Sequence, residues 1–213
     1  MSVSVDLRVL ELVASRICHD LVSPVGAVNN GVELIREIAD EDSPSGGLEN
    51  EALELIAHSA EQGSRRLRLL RLAYGAAGAD ATWEELQASL TQYFAGTRIA
   101  LAWPARAPKL VDGPRGTVKL VVNTILLAAD ALGQNGTIFI EERSGGIVVV
   151  AAGSSPGLDA ERTNALSGRV AATDLDPRSI HAYVTARFAE HYGLKLTATN
   201  PSSDKLELVI SAG

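Results

Sequence analysis

Apolar residues recur at Leu10, Val13, Ile17, Leu21, Val28, Ile35 and Ile38, in steps of three, four and seven, and this rhythm predicts one long amphipathic helix over residues 5–39. A second stripe, Leu48, Ala52, Ile56, Ala60, Gly63, Leu67, Leu70 and Tyr74, predicts another over 48–76, closed by the glycines of AYGAAGAD. Between them Asp40–Gly47 gathers acidic residues, a proline and a glycine pair, the composition of a short connector. Helices joined so briefly run antiparallel, and one hairpin buries a single stripe on each. A second copy would complete a four-helix bundle, so the pattern predicts a homodimer.

Beyond Asp80 the elements shorten. The pattern predicts a helix at 82–94, a strand at 98–103, an apolar helix at 116–132, strands at 136–142 and 146–151, a helix at 179–191, and strands at 195–199 and 205–211. Turns rich in glycine and asparagine suit mostly antiparallel pairing. The expected fold class is α+β: a long antiparallel helical hairpin, residues 1–78, followed by a two-layer α/β sandwich, residues 79–213.

With 213 residues, 46% of them hydrophobic, the chain can bury a sizeable core. Its formal charge of -7, with no basic stripe, argues against nucleic acid as a partner. No apolar run approaches the roughly 20 residues of a membrane span, and no export signal opens the chain, so the expected compartment is the cytoplasm. Cys18 is the single cysteine; it cannot form an internal disulfide and is expected to be a small, partly buried packing residue. No His, Cys, Asp or Glu spacing suggests a metal site.

Against this background one histidine stands out. His19 lies two positions from both Ile17 and Leu21, and at about 100° per residue it faces away from the apolar stripe, toward water. A histidine there is ordinarily just a solvated surface residue. Pro24 changes the picture, because a proline inside a helix removes a backbone donor and crowds the carbonyl of Asp20, at a cost of about 3 kcal/mol beside the histidine.

The stretch ICHDLVSPVGAVNNGVELI resembles the phosphoacceptor box of histidine kinases, in which a histidine, an acidic residue and a proline five places on open a dimerisation helix. Here these are His19, Asp20 and Pro24. Together with the second helix and the following sandwich, the resemblance covers nearly the whole chain and is nearest to the ChpT-type histidine phosphotransferases of alphaproteobacteria. It implies that His19 takes a phosphoryl group from the receiver aspartate of a hybrid histidine kinase and passes it to response regulators of CtrA-like type. It also implies that Asp20 orients the ring. No cofactor of its own is implied, and Mg²⁺ would be supplied in the partner receiver's site.

The sandwich resembles the kinase ATP-binding domain most informatively where the likeness fails. DGPRGTVKLVVNTILLAADAL keeps Asn123 but has Leu127 where the second, magnesium-holding asparagine would stand, and leucine cannot hold a hard cation. VVVAAGSSPGLD offers Ala151 and Ala152 in place of the adenine-gripping aspartate. Arg178, Ser179 and Ile180 occupy the place of the glycine-rich phosphate loop. ATP binding is therefore not expected.

A connector near Ser43–Ser45 would pair position i of the first helix with roughly 89 minus i of the second, placing His19 level with Leu70. The outward face around His19, where receivers would dock, is then Arg16, Val22, Ser23, Gly26 and Asn30, with Gln62, Arg66 and Leu69 beside them. Two other readings fit the same residues: a histidine kinase with a divergent nucleotide site, and a non-catalytic dimer that only binds receivers.

Overall fold

Two helices of unusual length open the chain, α1 at Leu7–Asp40 and α2 at Leu48–Tyr74. The computed structural model describes residues 6–40, 47–133 and 135–213, so most of the expected connector lies outside the described residues. The helices approach closely because small residues stand at their contacts. Pro24 of α1 meets Gly63 of α2, and Gly31 faces Ile56 and Ala52. This register is two residues short of the predicted pairing.

The shared stripe is only half sufficient to bury the hairpin. Ala52 is 1% exposed and Ile17, Leu21, Val28 and Ile56 are partly covered, but Leu10 and Leu67, both expected in the buried stripe, remain 58% and 56% exposed. Leu7, Leu10 and Val25 of α1 and Leu53 and Leu67 of α2 are all exposed, and helical geometry puts them on the side of the hairpin away from the sandwich.

The sandwich is built from α3 (Trp83–Phe94), β1 (Arg98–Ala102), α4 (Thr117–Leu132), β2 (Asn135–Arg143), β3 (Gly146–Ala152), α5 (Ala160–Leu166), α6 (Ile180–His191), β4 (Leu194–Ser202) and β5 (Lys205–Ala212). Predicted and observed α-helices and strands agree in order except for α5, which the pattern misses along with three short 3₁₀ helices. Thr82 opens α3 with a reciprocal capping box to Glu85. The sheet order is β1-β2-β3-β5-β4. All neighbours are antiparallel except β1 and β2, which α4 connects as a crossover and which therefore run parallel.

Period-two alternation aims one row of each strand at the helices. Ile140, Val149 and Leu208 are registered across three strands and Ile147 and Ile210 across two, and all five are at most 1% exposed. The opposite row carries charge, including Arg143 paired with Glu141 and Glu207. Helix α4 is buried along nearly its whole length between sheet and hairpin. Leu12 of α1 and Leu69, Leu72 and Ala73 of α2 share one continuous core with Leu86 and Leu90 of α3 and with α4. Hairpin and sandwich are thus packed together by apolar burial, which contributes about 25 cal/mol per Å².

Because a Cβ on Gly31 would come within 2.6 Å of Ile56 Cγ1, Gly31→Val should force the helices apart at their tightest contact. We expect a loss of about 1 to 3 kcal/mol, read by thermal or urea unfolding. Unchanged stability would show that α1 and α2 do not pack at this register.

Candidate functional site

His19 stands on α1 where neither α2 nor the sandwich covers it, and its side chain is 89% exposed. Its Nδ1 lies 3.4 Å from Asp20 Oδ1, a long and weak hydrogen bond that still favours one ring orientation. Pro24 is buried inside α1, as expected. The carbonyl of Asp20, which an N–H at position 24 would ordinarily satisfy, instead accepts a 2.7 Å bond from Arg66 Nη1 of α2. Cys18 is exposed rather than partly buried, because the face it occupies has no covering element.

The residues expected around His19 divide in two. Val22 is 68% exposed, Ser23, Asn30 and Gln62 are exposed, and an added Cβ on Gly26 would meet nothing within 4 Å. Leu69 requires correction: it is 2% exposed, because the sandwich packs on that side of α2 and draws it into the core. Arg16 also turns inward, donating to Asp130 of α4 at 3.0 Å, so it is not a free surface cation. Arg66 is half-buried through its contact with the Asp20 carbonyl.

Arg16 leads into a buried polar chain that the sequence did not announce. Asn123 donates through its amide to the Ala73 and Lys119 carbonyls, each at 2.9 Å, so its own oxygen faces His181 Nε2 at 3.3 Å. His181 Nδ1 lies 3.3 Å from Asp130 Oδ2, the oxygen that Arg16 also engages.

Burial by itself would raise the Asp130 carboxyl, but its bond and charge contacts with His181 and Arg16 outweigh that and hold it at about 2. Burial draws the His181 imidazole below its ordinary value, opposed by Asp130. A neighbouring cation, Lys119, donates to the Gly75 carbonyl at 2.8 Å and lies 4.4 Å over the Phe188 ring. The polar side chains of α4 thus bind the C-terminal end of α2.

Beside Asp20 the hairpin and sandwich enclose a cleft of about 560 Å³. Four arginines reach its walls from three elements: Arg16 from α1, Arg65 and Arg66 from α2, and Arg98 from β1. Tyr93 and Asp130 also line it. Among the described residues no cluster of three His, Cys, Asp or Glu side chains could hold a metal, and no helix is long and apolar enough to cross a membrane.

A helical hairpin thus presents an exposed imidazole, with a two-layer sandwich packed along one side. Comparisons with known proteins identify the family. The family described as histidine phosphotransferase C-terminal domain matches residues 83–203. The chain is 31% identical to protein phosphotransferase ChpT of Brucella abortus (strain 2308), over 96% of this chain and 97% of that one. A solved structure of a bacterial phosphotransferase superposes with a TM-score of 0.75 at 28% identity, covering 99% of this chain and 98% of the other. The chain belongs to the histidine phosphotransferase family.

Because Asp130 is held below its ordinary 3.8, it contributes stability that is present above about pH 4 and is lost as the pH falls through about 2. Asp130→Asn should cost about 1 to 2 kcal/mol at pH 7, allowing for screening of a side chain that is 31% exposed. It should also flatten the stability profile between pH 4 and 2. Parallel profiles for variant and parent, measured by denaturant unfolding, would remove Asp130 from the pairing.

Proposed function

We propose that this phosphotransferase works as a cytoplasmic phosphorelay intermediate in which His19 carries the phosphoryl group between receiver aspartates. The observation that supports this most is the imidazole itself, almost fully exposed and tethered through Nδ1 toward Asp20. A proton on Nδ1 shared with Asp20 leaves the Nε2 lone pair as the outward nucleophile. It attacks the phosphorus of the donor receiver's acyl phosphate, the bond from phosphorus to the aspartate oxygen breaks, and the carboxylate leaves with its electron pair. Discharge to the next receiver is the same displacement in reverse, with Mg²⁺ supplied by the receiver.

In this reading the donor is the receiver domain of a hybrid histidine kinase and the acceptors are response regulators of CtrA-like type. Val22, Ser23, Gly26 and Asn30 supply the docking face on α1, beside Gln62. The segments 1–78 and 79–213 act as phosphotransfer hairpin and scaffold. The sandwich uses no ATP: Asn123 is committed to three protein partners, Leu127 is 1% exposed within the core, and Ile180 is fully buried.

Incubated with a phosphorylated receiver that labels the parent chain, His19→Ala should take up no label while unfolding at the parent's midpoint. Asp20→Asn should slow transfer by about 10- to 100-fold, the range for a group that orients a reacting one. Label acquired by His19→Ala would remove His19 from the mechanism, and label acquired by the parent directly from ATP would make the protein a kinase.

The exposed row of Leu10, Val25, Leu53 and Leu67 is the face on which a second copy would close a four-helix bundle. Light scattering at micromolar concentration should show a dimer, and the double variant Val25→Glu with Leu67→Glu a monomer. A monomeric parent would end the bundle proposal.

A further inference from the structure

Proline at position 24 leaves the Asp20 carbonyl without its helical donor, one residue from His19. That carbonyl cannot simply turn to water, because Pro24 is buried against α2. Two residues of α2 answer this local defect, one turn apart. Gly63 sits opposite the proline ring, where an added Cβ would lie 3.6 Å from Pro24 Cβ, so the two backbones can come close. Arg66 then extends its guanidinium to the Asp20 oxygen at 2.7 Å. Arg66 takes part in no ion pair among the described residues, and this carbonyl is its one hydrogen-bond partner among them.

We propose that Arg66 is a positioning residue for phosphotransfer: its guanidinium takes the place of the N–H that Pro24 lacks and fixes the helical turn from which His19 and Asp20 project. The proposal rests on the reading of His19 as the phosphoryl carrier. A charge-assisted bond to a backbone oxygen is stronger than a neutral one, and a rigid guanidinium anchored on α2 ties the direction of that turn to the opposite helix. Without the tether the turn before Pro24 loses its link to α2, and the weak 3.4 Å contact between His19 and Asp20 is left to hold the ring alone.

A role in orientation differs measurably from a role in docking. Single-turnover labelling of the full chain is followed across concentrations of a phosphorylated receiver that labels the parent. Arg66→Ala should lower the saturating rate by at least about 10-fold, as loss of an orienting partner does, with the half-saturating receiver concentration changed less than about 3-fold. Arg66→Lys retains a cationic donor and should lose less.

The deciding comparison is with Pro24→Ala. Alanine restores a backbone N–H to the Asp20 carbonyl, so in that background Arg66→Ala should cost less than about 2-fold, a non-additivity that only shared partners produce. Equal effects of Arg66→Ala in both backgrounds would overturn the proposal. An effect confined to the half-saturating concentration would also overturn it and make Arg66 a docking residue. Labelling of His19→Ala in the same assay would instead sink the underlying reading, so the two failures are told apart.

Discussion

A partly buried, ionised carboxylate between a helical hairpin and a sandwich needs partners, since desolvation without pairing is costly. Asp130 sets that constraint here. Its partners come from opposite sides, Arg16 from α1 and His181 from α6, and His181 leads on to Asn123 and the carbonyl of Ala73 at the end of α2. Apolar contact between hairpin and sandwich would tolerate sliding, because burial has no preferred direction. A chain of hydrogen bonds with few alternative partners does not. The cleft beside Asp20 has a defined shape because Arg16 and Asp130 join its two walls.

Within the hairpin a second local defect is met in the same manner. Pro24 withdraws a donor from α1, and α2 supplies both the space, at Gly63, and the donor, at Arg66. An unsatisfied carbonyl in a partly buried turn would cost about 1 to 3 kcal/mol. The two helices are therefore matched at a point, and the turn of α1 that bears the exposed histidine is the one held from α2. Elsewhere along the hairpin small residues and partial burial suffice.

Most of the architecture was legible from period alone. Helices of 34 and 27 residues, strands with alternating burial and the continuously apolar β3 carry strong signals. Helix α5 escaped because AERTNAL spans seven residues, too short to display a helical period, although Asp159 caps it by accepting from the Arg162 amide. The parallel pairing of β1 with β2 was implicit in the helix between them. His19 was readable because polarity on one face of an apolar helix is a local property. Asp130 and His181 were not, because each sits alone in its own helix and they meet only through tertiary packing. The role of Arg66 left a fainter trace, since a proline inside a helix creates a need for a donor without naming who meets it.

The misplacement of Leu69 and Arg16 has one physical origin. A helical wheel reports which arc of a helix is apolar, and it assumes a single neighbour on that arc. Both helices of this hairpin have several: each other, the sandwich, and a side left exposed. The sandwich claims an arc that carries Leu12 on α1 and Leu69 on α2, flanked by Arg16. Polar character did not keep Arg16 outside, because Asp130 waits there with the opposite charge. Leu69 lost its exposure to the same neighbour through burial alone. What remains open to water around His19 is a narrow strip of Val22, Ser23, Gly26 and Asn30, residues that are small, polar or isolated. A strip of that composition packs against neither α2 nor the sandwich, which is why the imidazole on it stays exposed while Arg16, one turn before it, is drawn inward.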